Sequence, residues 1–140
     1  MSQTLAFPSN FEHVVAREFV CIVDADGDGR EWVRVVGELD IATAPWLEQT
    51  LLHVERRARL VVLDLREVTF MDSSGVHVIA DAAVRARRSN GRLMLVRGCS
   101  QVDRMLALSH AADLLEIAEP DTLQALGQLL PTLAEARCVA

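Results

Sequence analysis

Hydrophobic residues in this chain fall into short apolar runs and into stripes with helical spacing. The runs have the length of β-strands, and several are apolar almost throughout, as strands covered on both faces are. The predicted strands are residues 19–23, 31–39, 60–65, 93–96 and 114–118.

A turn and a helix start separate the first three of these strands. Residues 24–29 read Asp-Ala-Asp-Gly-Asp-Gly, which is typical of the turn in an antiparallel hairpin. Thr43 followed by Pro45 indicates a helix start, because proline is accepted in the first helical turn. The expected apolar stripe of this helix is Leu47, Leu51 and Val54.

Three further helices are predicted in the second half of the chain. The first begins after Asp72, ends near Asn90, and carries Asp81 and Arg85 as a supporting i, i+4 pair. Its apolar stripe is Val76, Ile79, Ala80 and Ala83. The second carries Val102, Met105 and Leu106, and Pro120 opens the third, which carries Leu123, Leu126 and Leu130.

The order of these elements, a hairpin followed by repeated strand–helix units, predicts the α/β class. We expect a central mixed sheet with an N-terminal hairpin and about four helices packed against it. The predicted organisation is an N-terminal extension over residues 1–17, one domain over 18–130 and a C-terminal tail over 131–140. A length of 140 residues is near the commonest size of a single domain.

The composition limits the cellular compartments and the kinds of partner that we expect for this protein. No apolar run approaches the roughly 20 residues that a membrane-spanning helix needs, and the first residues lack the pattern of a secretory signal. We therefore expect a cytoplasmic protein that does not bind membranes. The net charge of −6 argues against nucleic acid as a partner. All 14 basic residues are arginine and tyrosine is absent, which excludes Schiff-base chemistry and a tyrosine acid.

The strongest local signal is Asp-Ser-Ser-Gly at residues 72–75, between a buried strand with its loop and an amphipathic helix. Asp72 is a natural N-cap, which leaves the hydroxyl of Ser73 available to solvent. A phosphate on Ser73 would meet the positive end of the helix dipole and unpaired N–H groups. Taken alone, however, the spacing favours ordinary capping, because serine-rich helix starts are common.

A calcium loop is a weaker alternative. Asp24, Asp26 and Asp28 stand at alternate positions before Gly29, as in the start of such a loop. The twelfth position is Val35, which cannot supply the bidentate carboxylate, so a plain hairpin turn is favoured.

A hydrolase is the other alternative. Asp72, Ser73 and His77 are the right residue types, but the strand–turn–helix elbow with Gly-x-Ser-x-Gly is missing. The four histidines form no His-x-x-x-His pair for zinc. We therefore predict no catalytic residues, no metal site and no cofactor.

With these motifs in view, the sequence resembles the STAS domain family, and within it the bacterial anti-sigma-factor antagonists. The resemblance is collinear over roughly residues 18–125. Its segments are Gly-Glu-Leu-Asp-Ile-Ala-Thr-Ala-Pro at 37–45, residues 62–65 and 68–75, Asn-Gly-Arg-Leu-Met-Leu-Val at 90–96 and, more loosely, 102–108.

The resemblance implies a STAS-like fold and a phosphorylation switch. An unphosphorylated antagonist binds an anti-sigma factor that has serine-kinase activity, and this releases the sigma factor. The same partner phosphorylates the first serine of the motif, which is Ser73 here, and a serine phosphatase reverses the reaction. The implied partner-binding residues are Asp40, Asp72, Ser74, Gly75 and His77, with Ser74 and Gly75 also shaping the helix start.

Two positions depart from the family pattern. His77 stands where the family often has a second glycine, and His110 replaces a glycine after the Leu-x-Leu-Ser segment. The hypothesis is therefore a regulatory binding protein without catalysis of its own, with partner choice open at these positions. The alternative is a STAS-like scaffold or accessory subunit that binds a protein or small ligand and is not phosphorylated.

Overall fold

The computed structural model describes residues 12–16, 19–25, 28–109, 111–119, 121 and 124. In this part of the chain, six strands form one mixed sheet in sequence order. They are β1 (Glu12–Ala16), β2 (Phe19–Ala25), β3 (Arg30–Leu39), β4 (Leu60–Met71), β5 (Arg92–Val96) and β6 (Glu116–Ile117).

The sheet changes direction once along its width. β1, β2 and β3 are antiparallel neighbours, and β3 to β6 are all parallel. The parallel strands are joined by α1 (Ala44–Glu55), α2 (Ser73–Arg88) and α3 (Ser100–Leu108), with a 3₁₀ turn at Ala112–Leu114. The predicted hairpin and the α/β class are confirmed.

Three details differ from the sequence prediction. Residues 12–16 of the predicted extension pair with β2 as an edge strand. β4 has no loop after residue 65; it continues to Met71, because its second half stays paired with β3. Arg85 does not pair with Asp81: its Nε lies 3.0 Å from Oε2 of Glu55 on the neighbouring helix α1. The predicted helix opened by Pro120, with Leu123, Leu126 and Leu130, lies outside the described residues.

Helices α1 and α2 cover one face of the sheet. The predicted stripe of α1, Leu47, Leu51 and Val54, is fully buried there. In the predicted stripe of α2, Val76, Ile79 and Ala83 are buried and Ala80 is half-buried. Together with strand residues such as Leu63, the buried residues form the main core. None of the described helices is long and apolar enough to cross a bilayer.

The opposite face of the sheet carries a second, smaller core. Trp32 lies at its centre and is completely buried. Its indole Nε1 donates a hydrogen bond of 3.3 Å to Oδ2 of the buried Asp64, which Arg66 also contacts. The apolar members of this cluster are Trp32, Val62, Met94, Val96 and Ala118.

Two bulges in β4 set the position of the strand ends. The register between β3 and β4 shifts between Arg34 and Val36 and again between Gly37 and Glu38, each time with one extra residue in β4. Gly37, at the second shift, has a φ of 107°, which favours glycine. Beyond the bulges, Leu39 pairs with Met71, so both strands end at the same level. The two chain segments that follow therefore leave the sheet side by side.

Candidate functional site

The candidate site lies at the carboxyl ends of β3 and β4. The backbone N–H of Asp72 donates a hydrogen bond of 3.1 Å to the carbonyl of Leu39, just beyond the last paired residues. Asp40 and Asp72 are thus the first residues after two neighbouring strand ends. This edge of a parallel sheet is where α/β proteins commonly place their binding sites.

Asp72 caps helix α2, as predicted. Its backbone is extended, and its Oδ1 accepts a hydrogen bond of 2.8 Å from the N–H of Ser74. Ser73, the first residue of the helix, is exposed. Its hydroxyl makes no hydrogen bond to any described residue. The capping by its neighbour therefore leaves this hydroxyl available for chemistry at the positive end of the helix.

Ser74 and Gly75 seat the helix start on the sheet. Ser74 is half-buried and Gly75 is buried. A Cβ at position 75 would lie 2.8 Å from Cδ2 of Leu39 and 2.9 Å from Cγ of Met71, closer than real Cβ contacts. Glycine lets α2 approach the strand ends directly, which holds Ser73 at a defined position.

Asp40 is half-buried and organises the loop between β3 and α1. Its Oδ1 accepts hydrogen bonds from the N–H groups of Ala42 (2.9 Å) and Thr43 (3.1 Å). Its own N–H donates to Oγ1 of Thr43, which donates to the carbonyl of Glu38. The carboxylate predicted to face a partner thus also closes a turn, a role that an Asp-x-x-Thr spacing could have suggested.

Gln101 is a site residue that sequence reasoning missed. Its side-chain Oε1 accepts from the N–H of Met71 (2.9 Å), and its Nε2 donates to the carbonyl of Met71 (2.8 Å). β5 stops pairing with β4 at Asp64, so the end of β4 has no strand on that side. The amide replaces the missing strand, and nothing in the local sequence around Gln101 indicates it.

A groove of about 620 Å³ opens beside Ser73, between α2 and α3. Ser73, His77 and Asp81 contribute its polar side, and all three are exposed. Its apolar lining includes Val76, Ala80, Val84, Met105, Leu108 and Leu114. Leu108 is 78% exposed, which leaves an apolar surface available to a ligand or partner.

The described residues do not assemble a hydrolase site. His77 makes no hydrogen bond to Ser73 or Asp72 among the described contacts, and Asp72 is engaged as a helix cap. No cluster of three potential metal ligands occurs within the residues described. Asp28 of the predicted turn contacts Arg30, while Asp26 and His110 lie outside the described residues.

A family model and a curated relative both match this chain. The model of the STAS domain family matches residues 24–130. A curated relative, the anti-sigma-B factor antagonist of Listeria monocytogenes, is 31% identical over 84 residues, which cover 59% of this chain and 74% of the relative.

Solved structures of anti-sigma factor antagonists have a similar fold. An anti-sigma factor antagonist from Mycobacterium paratuberculosis has a TM-score of 0.66 and 27% identity, covering 80% of this chain and 97% of that one. The Bacillus protein SpoIIAA was solved unphosphorylated and phosphorylated, with TM-scores of 0.63 and 0.60 at 17% and 16% identity. Both forms cover 78% of this chain, and the match spans 95% and 98% of their own length. At this identity SpoIIAA supports the fold alone.

Proposed function

This chain belongs to the STAS domain family, and on that premise we propose that it is an anti-sigma-factor antagonist. In its unphosphorylated form it binds an anti-sigma factor and so releases the sigma factor. The observation that carries the proposal is that Ser73 is exposed and that its hydroxyl has no hydrogen bond to a described residue, because Asp72 caps the helix. The proposed protein is regulatory, acts in the cytoplasm and has no catalysis of its own.

The proposed switch is phosphorylation of Ser73 by the anti-sigma factor itself. Oγ of Ser73 attacks the γ-phosphorus of ATP, the hydroxyl proton is lost and ADP leaves. A serine phosphatase later hydrolyses the ester with water and restores the hydroxyl. The helix start accommodates the product, because a negative charge near a helix N-terminus is stabilised by about 0.3 to 1 kcal/mol.

The phosphate acts on the interface through its charge. It adds about −1.5 to −2 charges at neutral pH. Asp40 and Asp72 already lie at this edge of the sheet, so the added charge and bulk repel a partner surface that fits the unphosphorylated site. The proposed partner-binding surface comprises Asp40, Asp72, Ser74, Gly75 and His77, with Gly75 acting through the position of α2.

A second candidate function is favoured by the groove between α2 and α3. Its apolar lining and its volume of about 620 Å³ suit a small ligand or an apolar side chain of a partner. In that case the chain is a STAS-like scaffold or accessory subunit that is not phosphorylated. The two functions differ in whether Ser73 is ever modified.

The test uses the cognate anti-sigma factor and ATP with the full chain. We expect one phosphate, mapped by mass spectrometry to Ser73, and no labelling of the Ser73→Ala variant. Ser74→Ala, which removes the adjacent hydroxyl and keeps that of Ser73, is the matched control, and its label should still map to Ser73, even at a lower rate. Affinity for the partner should fall at least about tenfold (1.4 kcal/mol) on phosphorylation and in Ser73→Asp.

Amide NMR spectra of the two forms test how the switch works. Shifts confined to the residues around Ser73 support local blocking of the interface. Shifts that spread through the sheet and distant helices contradict it and indicate a conformational switch. Phosphate on Ser74 alone, or a labelled Ser73→Ala variant, overturns the assignment of the acceptor. An unmodified Ser73 with ligand-dependent shifts in the groove favours the scaffold.

A further inference from the structure

His77 lies one helical turn after Ser73 on α2. Both side chains are exposed, and both line the groove between α2 and α3, so they share one face of the helix. Every Cα–Cβ bond in a helix tilts toward the N-terminus, so a side chain four residues on extends over the preceding turn. Residues four apart on a helix have Cβ atoms about 5 to 6 Å from each other, so a phosphate on Ser73 lies within range of the His77 imidazole.

We propose that His77 binds the phosphate carried by Ser73, as an imidazolium that donates a hydrogen bond to a phosphate oxygen. This inference rests on the proposed modification of Ser73 and names a residue that holds its product. A histidine is suited to the role because both ring nitrogens are donors in the charged form. Charge-assisted bonds of this kind are short and strong.

The charges around His77 make its protonation depend on the phosphate. A phosphate on Ser73 favours the charged ring, because it adds about 1.5 to 2 negative charges one helical turn away. Asp81 lies one turn beyond His77 on the same helix and also lines the groove. The phosphorylated form thus places His77 between two anions.

The other wall of the groove adds no described charge. Residues from α3 and the segment after it that line the groove are Met105, Leu108, Ser109, Ala111 and Leu114. None of these side chains carries a charge, and the hydroxyl of Ser109 donates to the carbonyl of Leu106. The charged groups at this end of the groove are therefore Asp81, the helix-capping Asp72 and the phosphate itself, with Asp40 at the same edge of the sheet.

The consequence is a phosphate held in one orientation at the mouth of the groove. Without His77, the helix start is the only described group at this end of the groove that attracts the phosphate. With the imidazolium bound, the phosphate lies over the groove that begins at Ser73. Because the charge-assisted bond needs a protonated ring, the hold weakens as the pH rises above the point where the ring loses its proton.

The experiment installs phosphoserine at position 73 during translation, so that it needs no kinase. The ring resonances of His77 are followed by NMR against pH, with and without the phosphate, and are assigned by comparison with His77→Gln. We expect the midpoint of the His77 titration to move up by about one pH unit or more, as for a group beside an opposite charge. His53 on α1, which contacts Arg57, is the internal control and should keep its midpoint.

The phosphorus resonance gives an independent readout. The second ionisation of the phosphate should occur at lower pH in the phosphorylated wild-type chain than in phosphorylated His77→Gln. Equal phosphorus titrations in the two chains, or an unchanged His77 midpoint, overturn the proposal. Separately, failure of the anti-sigma factor to modify Ser73 overturns the proposed function, whereas the phosphoserine chain still reports on His77.

Discussion

At the scale of single residues, the site depends on which side chain satisfies which backbone group. Asp72 accepts the N–H of Ser74, and this leaves the adjacent Ser73 exposed and unbonded within the described structure. Asp40 uses one carboxylate oxygen to close the loop before α1. Its second oxygen has no hydrogen-bond partner among the described residues.

Asp40 can be tested by a pair of substitutions that separate its two roles. Asp40→Asn keeps an oxygen that accepts from Ala42 and Thr43 but removes the charge. We expect its free energy of unfolding to stay within about 0.5 kcal/mol of wild type, while partner affinity falls. Asp40→Ala removes the acceptor as well and should destabilise the protein by about 1 to 2 kcal/mol.

Urea unfolding and calorimetric titration with the anti-sigma factor measure the two effects. The expected pattern is reduced affinity in both variants and reduced stability only in Asp40→Ala. If Asp40→Asn loses stability and binds normally, the residue serves the loop alone and does not contact the partner.

At the scale of elements, the decisive contact is the approach of α2 to the ends of β3 and β4. Gly75 allows this approach, since Leu39 and Met71 are both completely buried beneath it. Gln101 ties α3 to the same strand end through both backbone groups of Met71. Two helices are thus anchored to the residue that precedes the Asp-Ser-Ser-Gly segment.

The Gly75→Ala substitution tests whether helix propensity or packing against the strand ends determines stability at this position. Inside a helix, alanine is favoured over glycine by roughly 0.5 to 1 kcal/mol, which predicts stabilisation. The contact of 2.8 Å with Leu39 predicts the opposite, because the new methyl must displace buried side chains. Overpacking of a core typically costs about 1 to 3 kcal/mol, so we expect net destabilisation in urea unfolding.

Ser74→Ala is the control on the same helical turn, because it adds no atom toward the sheet. Its stability should change little. A stabilised Gly75→Ala variant with normal partner affinity contradicts the tight seating of α2 on the strand ends.

At the scale of the whole molecule, the main core lies between the sheet and the helices α1 and α2. Cys21 of β2 lies inside this core and is completely buried. Burial raises the pKa of its thiol from 9.0 to about 12, although a hydrogen bond with Thr50 acts in the opposite direction. The native protein therefore keeps this thiol protonated at pH values where the unfolded chain ionises it.

Alkaline stability should report this burial directly. A pKa that is raised on folding contributes stability that is complete below pH 9 and is lost as the pH rises toward about 12. Over that window we expect Cys21 to lower the free energy of unfolding by about 1.4 kcal/mol per pH unit. The chain has no lysine and no tyrosine, so few other groups titrate there.

The control is Cys21→Ala, followed by urea unfolding at several pH values under reducing conditions. Its absolute stability should be lower, because the core loses an atom, but its dependence on pH in this window should be flatter. Equal slopes in the two proteins would show that the thiol ionises without opening the core.

Local patterns in the sequence determined the strands β2 to β5, the starts of α1 and α2, and the cap at Asp72. These features depend on a hydrophobic period or on a hydrogen bond between near neighbours, which are visible along the chain. The exposure of Ser73 followed from the same cap. The class of the fold followed from the order of the elements.

Only the tertiary structure decided how these elements meet. The pairing of residues 12–16, the extension of β4 to Met71, the bond between Arg85 and Glu55, and the bridge by Gln101 all join segments distant in sequence. The close approach of Gly75 to Leu39 likewise joins segments that are distant in sequence. Such contacts depend on strand register and on packing across the sheet. A local sequence pattern does not indicate which distant residue a given side chain will contact.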